Sequence, residues 1–235
     1  MATFYVARSE IITPLPWQTF ALPFSAIATV SHGNRFKPAQ AAQLTCRVAQ
    51  AIACDFFSKT VLTLRGPRTA YVLMFIHLGS RRVFCSAPTY APDSAWVTQQ
   101  ARNTLMWCTE QGIMPKFLIR DADTKFCTRF DTVWESETAR VIQIPHRAPD
   151  ANAFAESFIA TIKRECLDFF ICFSRSQLDY ILRTWVRHYN TERPHRGRDI
   201  GNNVLQVDFQ PVRDGPIRRK RQLGGIVTSY IRDAA

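Results

Sequence analysis

The run VAQAIACDFF, residues 48–57, reads as a buried strand with one residue out of place. A short, nearly continuous apolar run fits a strand covered on both faces. Asp55 interrupts it, and a carboxylate in such a strand is costly unless it is paired or bound to a metal. Working outward, LRGPRT (64–69) carries turn signals, and AYVLMFIHLG (70–79) and RRVFCSAP (81–88) read as two more strands joined tightly near Gly79. DSAWVTQQARNTLMWCTEQ (93–111) reads as a helix that Asp93 or Ser94 can cap and Gly112 can end. KFLIRD (116–121) is a fourth strand running into the polar turn DADTKF, and RVIQIP (140–145) is a fifth. A helix follows from about residue 151, and another, SRSQLDYILRTWVRHYNTE (174–192), carries Leu178, Ile181, Leu182, Trp185 and Val186 at helical spacing. Three strands, a helix, two strands and two helices imply an α/β layer, a mixed sheet with helices packed on it.

The first of those last two helices, within PDANAFAESFIATIKRECLDFF (149–170), has a face formed by Ala151, Ala155, Phe158, Ile159 and Ile162. Asn152, Glu156 and Lys163 fall within roughly 40° of one another beside it, at 100° per residue. Taken alone, Glu156 reads as a solvated acid near a lysine. Asp121, however, ends the fourth strand, and a residue at a strand's carboxyl end faces the crevice where α/β sheets place their sites. Asp55, Asp121 and Glu156 thus come from three elements that can meet at one sheet edge. Clustered carboxylates repel one another and need cations to hold them. Oxygen ligands without Cys or His select Mg²⁺ or Mn²⁺. Two such ions about 4 Å apart serve in-line phosphoryl transfer. The plainer alternatives are that Asp55 caps the strand end or forms a buried pair, and that Asp121 is a turn former.

Composition narrows the partners. The chain has 235 residues, 46% hydrophobic, enough for a core, which excludes a disordered chain. A formal net charge of +11 points to a polyanion. The seven cysteines are odd in number, contain no Cys-x-x-Cys pair and sit partly in apolar runs, as buried thiols of a reducing compartment do. With the five histidines scattered, a structural zinc site is not expected. The stretch FALPFSAIATV is too short and broken for a signal peptide or a membrane span, so a cytoplasmic protein with no membrane partner is expected.

The segments ACDFF, LIRDADTKF, APDANAFAESFIATIKRECLD and VRHYNTERPHR, in that order, closely resemble the integrase catalytic core of bacterial insertion-sequence transposases. That core is similar to retroviral integrases and shares the RNase H-like fold. The resemblance covers roughly residues 46–200. It implies a D, D, E triad of Asp55, Asp121 and Glu156, the last following Asp121 by 35 positions. It further implies that Asp55 and Asp121 share one ion, with Glu156 completing a second site, for Mg²⁺ or Mn²⁺. Lys163 matches the family position that holds element-end DNA near the metals, and Asn152, which matches a recurrent polar position one turn before the Glu, is likewise expected at DNA. Asp123 competes with Asp121 and is expected in the turn after the strand. Asp150 and Glu165 are expected to be solvated or capping acids.

The expected organisation is an irregular extension over 1–43 without a recognisable DNA-binding domain, a catalytic core over 44–200 with a five-stranded mixed sheet, and a basic tail over 201–235. Against full-length relatives, which carry a DNA-binding helix-turn-helix or zinc-binding region ahead of the core, the front end looks shortened, replaced or eroded. Arg187, Arg193 and Arg196 near the last helix are expected to track DNA phosphates, as is the tail segment IRRKRQ (217–222), for which a solvated surface is an equal alternative. The function implied is metal-dependent cleavage and strand transfer by a DNA recombinase, working as a homo-oligomer on element ends and target. Two alternatives stay open: an RNase H-like nuclease that only hydrolyses, and a non-catalytic DNA-binding relic of a degenerate mobile element.

Overall fold

The structure is a computed structural model describing residues 49–137, 139–144, 152–195, 204–206, 209, 212 and 214–232. The expected extension over 1–43, Asp150 and Arg196 lie outside these residues. Strands β1 (Ala51–Thr63), β2 (Gly66–His77), β3 (Val83–Cys85), β4 (Phe117–Arg120) and β5 (Arg140–Gln143) form one sheet in the order β3-β2-β1-β4-β5. β1, β2 and β3 pair antiparallel, whereas β4 runs parallel to both β1 and β5. This is the five-stranded mixed sheet that the order of elements implies.

Alternation along β1 sorts the core into two layers. Ala51, Ala53, Phe57 and Val61 face helices α3 (Ala153–Glu165) and α4 (Arg175–Thr191), where they meet Phe158, Ile162, Ile181 and Trp185. Ile52 and Cys54 face the other way, with Leu73 and Phe75, toward helices α1 (Ser94–Glu110) and α2 (Thr128–Ser136). Rings of Phe75, Phe130 and Trp134 pack in the second layer, and rings of Phe158, Trp185 and Tyr189 in the first. The side chain of Asp93 accepts the Trp96 N–H at 2.8 Å and that of Ser174 accepts the Gln177 N–H at 3.0 Å, so α1 and α4 begin at N-caps.

Three elements differ from expectation. The chain turns only at Leu64 and Arg65, and Pro67 already belongs to β2, paired with Leu62. The Leu62 N–H points away from β2 to the Cys172 carbonyl at 2.8 Å. That makes Leu62 and Pro67 a non-hydrogen-bonded pair, so the missing proline donor costs the ladder nothing. Helix α2 was not anticipated: TRFDTVWES is short and follows a turn-rich stretch, although Phe130 and Trp134 are buried one turn apart. Within the basic tail, IRRKRQ is strand β6 (Ile217–Gln222), largely exposed and paired with β7 (Val227–Arg232), an element the sequence did not mark. Gly79 sits where expected, at the β2–β3 connection, and a Cβ there would meet the Ala49 carbonyl oxygen at 2.5 Å.

The β6–β7 hairpin is tied to the end of α4 by Glu192. Its carboxylate accepts from Lys220 Nζ at 2.5 Å and Ser229 Oγ at 2.6 Å, with His188 Nδ1 at 3.3 Å, and Val227 joins the α3/α4 core. Burial alone would raise the Glu192 carboxyl, but the hydrogen bonds from Lys220, Ser229 and His188 outweigh it and bring the pKa down from 4.5 to about 2. A depressed carboxyl contributes stability above its unfolded pKa and loses it as pH falls through the folded one. Wild type should therefore lose stability between about pH 4.5 and pH 2 more steeply than Glu192→Gln, as read by thermal melts across that range.

Candidate active site

Parallel register places the first two acids. β1 and β4 pair as Ala51 with Phe117, Ile52 with Leu118 and Ala53 with Ile119. Extending the register by two brings Asp121, just past the end of β4, level with Asp55. The period of two keeps both on the face of Ala53 and Ile119, which is the face covered by α3. β4 ends at Arg120 while β1 runs on to Thr63, so the sheet opens beside Asp55. The edge of β1 is next taken up at Val61, which bridges Cys172. Asp55 is half-buried in this opening and accepts the Phe56 N–H at 2.6 Å.

Helix α3 brings the third acid over the same face. Ala155, Phe158 and Ile162 are its buried stripe, and Glu156 stands exposed in its first turn, where the helix dipole favours an anion. Asn152 precedes the helix. It is 7% exposed, and its Nδ2 donates to the carbonyl of Cys54 at 3.2 Å, which pins α3 to the residue before Asp55. Its Oδ1 is buried with no partner among the described residues. The charges of Asp121, Glu156 and Asp123 all act on Asp55. Burial, opposed by the Phe56 N–H and reinforced by those charges, pushes the Asp55 carboxyl up from 3.8 to about 6.

A ring of other groups holds the site. Arg120, 7% exposed, pairs with Asp131 on α2 through Nε at 2.8 Å and Nη2 at 2.7 Å, and its Nη1 donates to the Asp121 carbonyl at 2.9 Å. Asp123 lies in the turn after β4, as expected, with its Oδ2 on Lys125 Nζ at 2.7 Å. Neither Arg120 nor Asp131 stood out in the sequence. A lone arginine in an apolar strand was the available signal, equivalent to the one that marked Asp55.

The residues expected at DNA divide. Lys163 and Arg187 are exposed on α3 and α4. Arg193 is engaged by Glu165, Nη2 to Oε1 at 2.7 Å and Nε to Oε2 at 3.0 Å. Glu165 is thus a fork partner linking α3 to the end of α4, not the solvated or capping acid expected.

Three carboxylates with no thiol or imidazole among them fit a hard divalent cation by donor type. Asn152, whose Nδ2 meets the carbonyl of Cys54, the residue before Asp55, has an Oδ1 without a partner among the described residues, a further oxygen donor. Among the described residues, no group of three or more His, Cys, Asp or Glu side chains closes around a point where an ion could be held. Mutual repulsion acts against such closure without a cation.

Residues 138–199 match the integrase core domain family. That range contains Asn152, Glu156, Lys163, Arg187 and Arg193, while Asp55 and Asp121 precede it. An uncharacterized 39.2 kDa protein of insertion element IS476 from Xanthomonas euvesicatoria is 33% identical over 82 residues, 34% of this chain and 24% of that protein. The match thus spans about a quarter of that relative's length. Among solved structures, a chain of the simian T-cell lymphotropic virus intasome in complex with PP2A regulatory subunit B56 gamma aligns with a TM-score of 0.51 at 11% identity, over 92% of this chain and 85% of that one. The HTLV-2 integrase catalytic core domain in complex with magnesium aligns with a TM-score of 0.48 at 10% identity, over 66% and 93%. The fold is the RNase H-like arrangement of the integrase core. The family match and the insertion-element relative support an integrase/transposase catalytic core.

The electrostatics yield a direct expectation. Because the Asp55 pKa is raised in the folded chain, its ionisation costs stability, and that cost is incurred as pH rises through about 4 to 6. Asp55→Asn should raise the melting temperature of the cation-free protein at pH 8 by a few degrees and leave it nearly unchanged at pH 4. Melts at the two pH values check this, and a variant less stable at pH 8 would contradict it.

Proposed function

We propose that the chain is a DNA recombinase of the transposase/integrase kind, catalysing divalent-cation-dependent DNA cleavage and strand transfer. One observation supports this reading: with the β1–β4 register and helix α3 on the same face of the sheet, the charges of Asp121 and Glu156 act on half-buried Asp55. Nothing in a purely structural role rewards three acids at the open edge of an apolar sheet.

Asp55 and Asp121 would hold one Mg²⁺ or Mn²⁺, and Asp55 with Glu156 the second. When bound, such ions polarise phosphoryl oxygens and neutralise charge at the attacking and leaving oxygens. The chain's own residues supply the rest. Asn152 locks α3 against the residue before Asp55. Lys163, exposed in the last turn of α3, and Arg187, exposed on α4, would bind phosphates. Joining an element end to a target requires two DNA ends held together, so the active species is a homo-oligomer on DNA. Six free thiols among the described residues suit the reducing cytoplasm.

The test is Mn²⁺-dependent cleavage and joining of DNA carrying the element ends. Asp121→Asn and Glu156→Gln should each lower activity by more than about 100-fold, since even outer-shell partners of metal ligands are worth about 10–100-fold. Wild type that nicks without joining would make the chain a nuclease. Variants as active as wild type would remove the triad. Binding is a separate readout: Lys163→Ala and Arg187→Ala should each reduce the slope of log affinity against log salt by about 1. An unchanged slope would remove that residue from the DNA path.

A further inference from the structure

Arg120, on β4, is a charged residue buried to 7% exposure in the sheet. Its side chain lies on the α1/α2 face of β4, toward Cys54, Phe126 and α2. An apolar residue would fill that place at lower cost, because replacing a buried ion pair with packed hydrophobic side chains is often neutral or stabilising. The guanidinium is nonetheless fully directed. Two of its nitrogens meet both oxygens of Asp131, the fork geometry that fixes an arginine most tightly. The third donates to the main-chain carbonyl of Asp121 at 2.9 Å. Asp131 is itself held in the first turn of α2, and α2 is anchored in the core by fully buried Phe130 and Trp134. Phe126 lies under the guanidinium with its ring centroid at 5.3 Å, and its ring packs at 5.2 Å on Phe56, the neighbour of Asp55.

The chain leaves β4 at Arg120, so the orientation of the peptide after Asp121 decides which way the Asp121 side chain points. We propose that Arg120, clamped by Asp131, is a positioning residue for Asp121: it fixes the main chain at the strand end so that this carboxylate stays on the Asp55 side of the opening. The inference rests on the reading of Asp121 as a cation ligand given above. Arg120 touches no reacting atom; it acts through the Asp121 carbonyl. Lysine would not replace it, because an ammonium cannot span both Asp131 oxygens and reach the carbonyl at once.

The experiment uses the Arg120→Met/Asp131→Leu double variant, which removes both charges together. Three quantities are compared with wild type: melting temperature, ¹⁵N order parameters of the amides of residues 121–123, and Mn²⁺ affinity by calorimetry. The expected result is a fold of near wild-type stability, order parameters falling from about 0.85 to below about 0.6, and Mn²⁺ bound about 10–100-fold more weakly. Should the double variant fail to fold, Arg120→Lys reads the same amides. A folded variant whose 121–123 amides stay as rigid as in wild type overturns the proposal. Amides that loosen in a protein whose wild type binds no Mn²⁺ leave the positioning role standing and make the recombinase reading the one that fails.

Discussion

Three residues of parallel pairing, Ala51–Ala53 of β1 against Phe117–Ile119 of β4, govern where everything in the site can be. A slip of one residue would send Asp121 to the opposite face from Asp55, because side chains alternate with a period of two. The register is held by burial on both faces. Ala53 and Ile119 belong to one core layer, and Ile52 and Leu118 to the other. The unequal lengths of the two strands then create the opening. β4 stops where β1 continues, and among the described residues the edge of β1 is next bridged at Val61. A crevice at the carboxyl end of parallel strands is therefore a consequence of packing, and the acids occupy it.

Holding carboxylates there costs stability, and the surroundings show how the cost is carried. Glu156 stands in the first turn of α3, where backbone dipoles favour it. Asp55 has the Phe56 N–H, and Asp123 has Lys125. Asn152 fastens α3 to the residue before Asp55, and Arg120 fastens the main chain of Asp121 to α2. The main chain around these acids is thus tied to several elements of the core, while the charges of Asp121, Glu156 and Asp123 act on Asp55. A site so arranged suits chemistry on a phosphate backbone, where positioning and charge neutralisation account for most of catalysis.

What could be read in the sequence follows from what produces a local signal. The five strands were legible because buried strands leave apolar runs, and Asp55 was legible because it breaks one. Helices α3 and α4 were legible from stripes such as Leu178, Ile181, Leu182 and Trp185. Helix α2 was hidden because its two large buried residues, Phe130 and Trp134, make only one helical repeat after a run of turn formers. Hairpin β6–β7 was hidden because β6 is basic along its length and takes its register from β7 and from Glu192 on a distant helix. The same limit applies to the Arg193–Glu165 pair and to the Arg120–Asp131 clamp. Both join residues through tertiary geometry, which spacing along the chain does not encode.

If Asp55, Asp121 and Glu156 form one cation-binding site, an anomalous difference map from crystals soaked in MnCl₂ will show a peak between the Asp55 and Asp121 carboxylates and a second peak contacting Glu156. Manganese bound elsewhere, with no peak at these carboxylates, would contradict such a site.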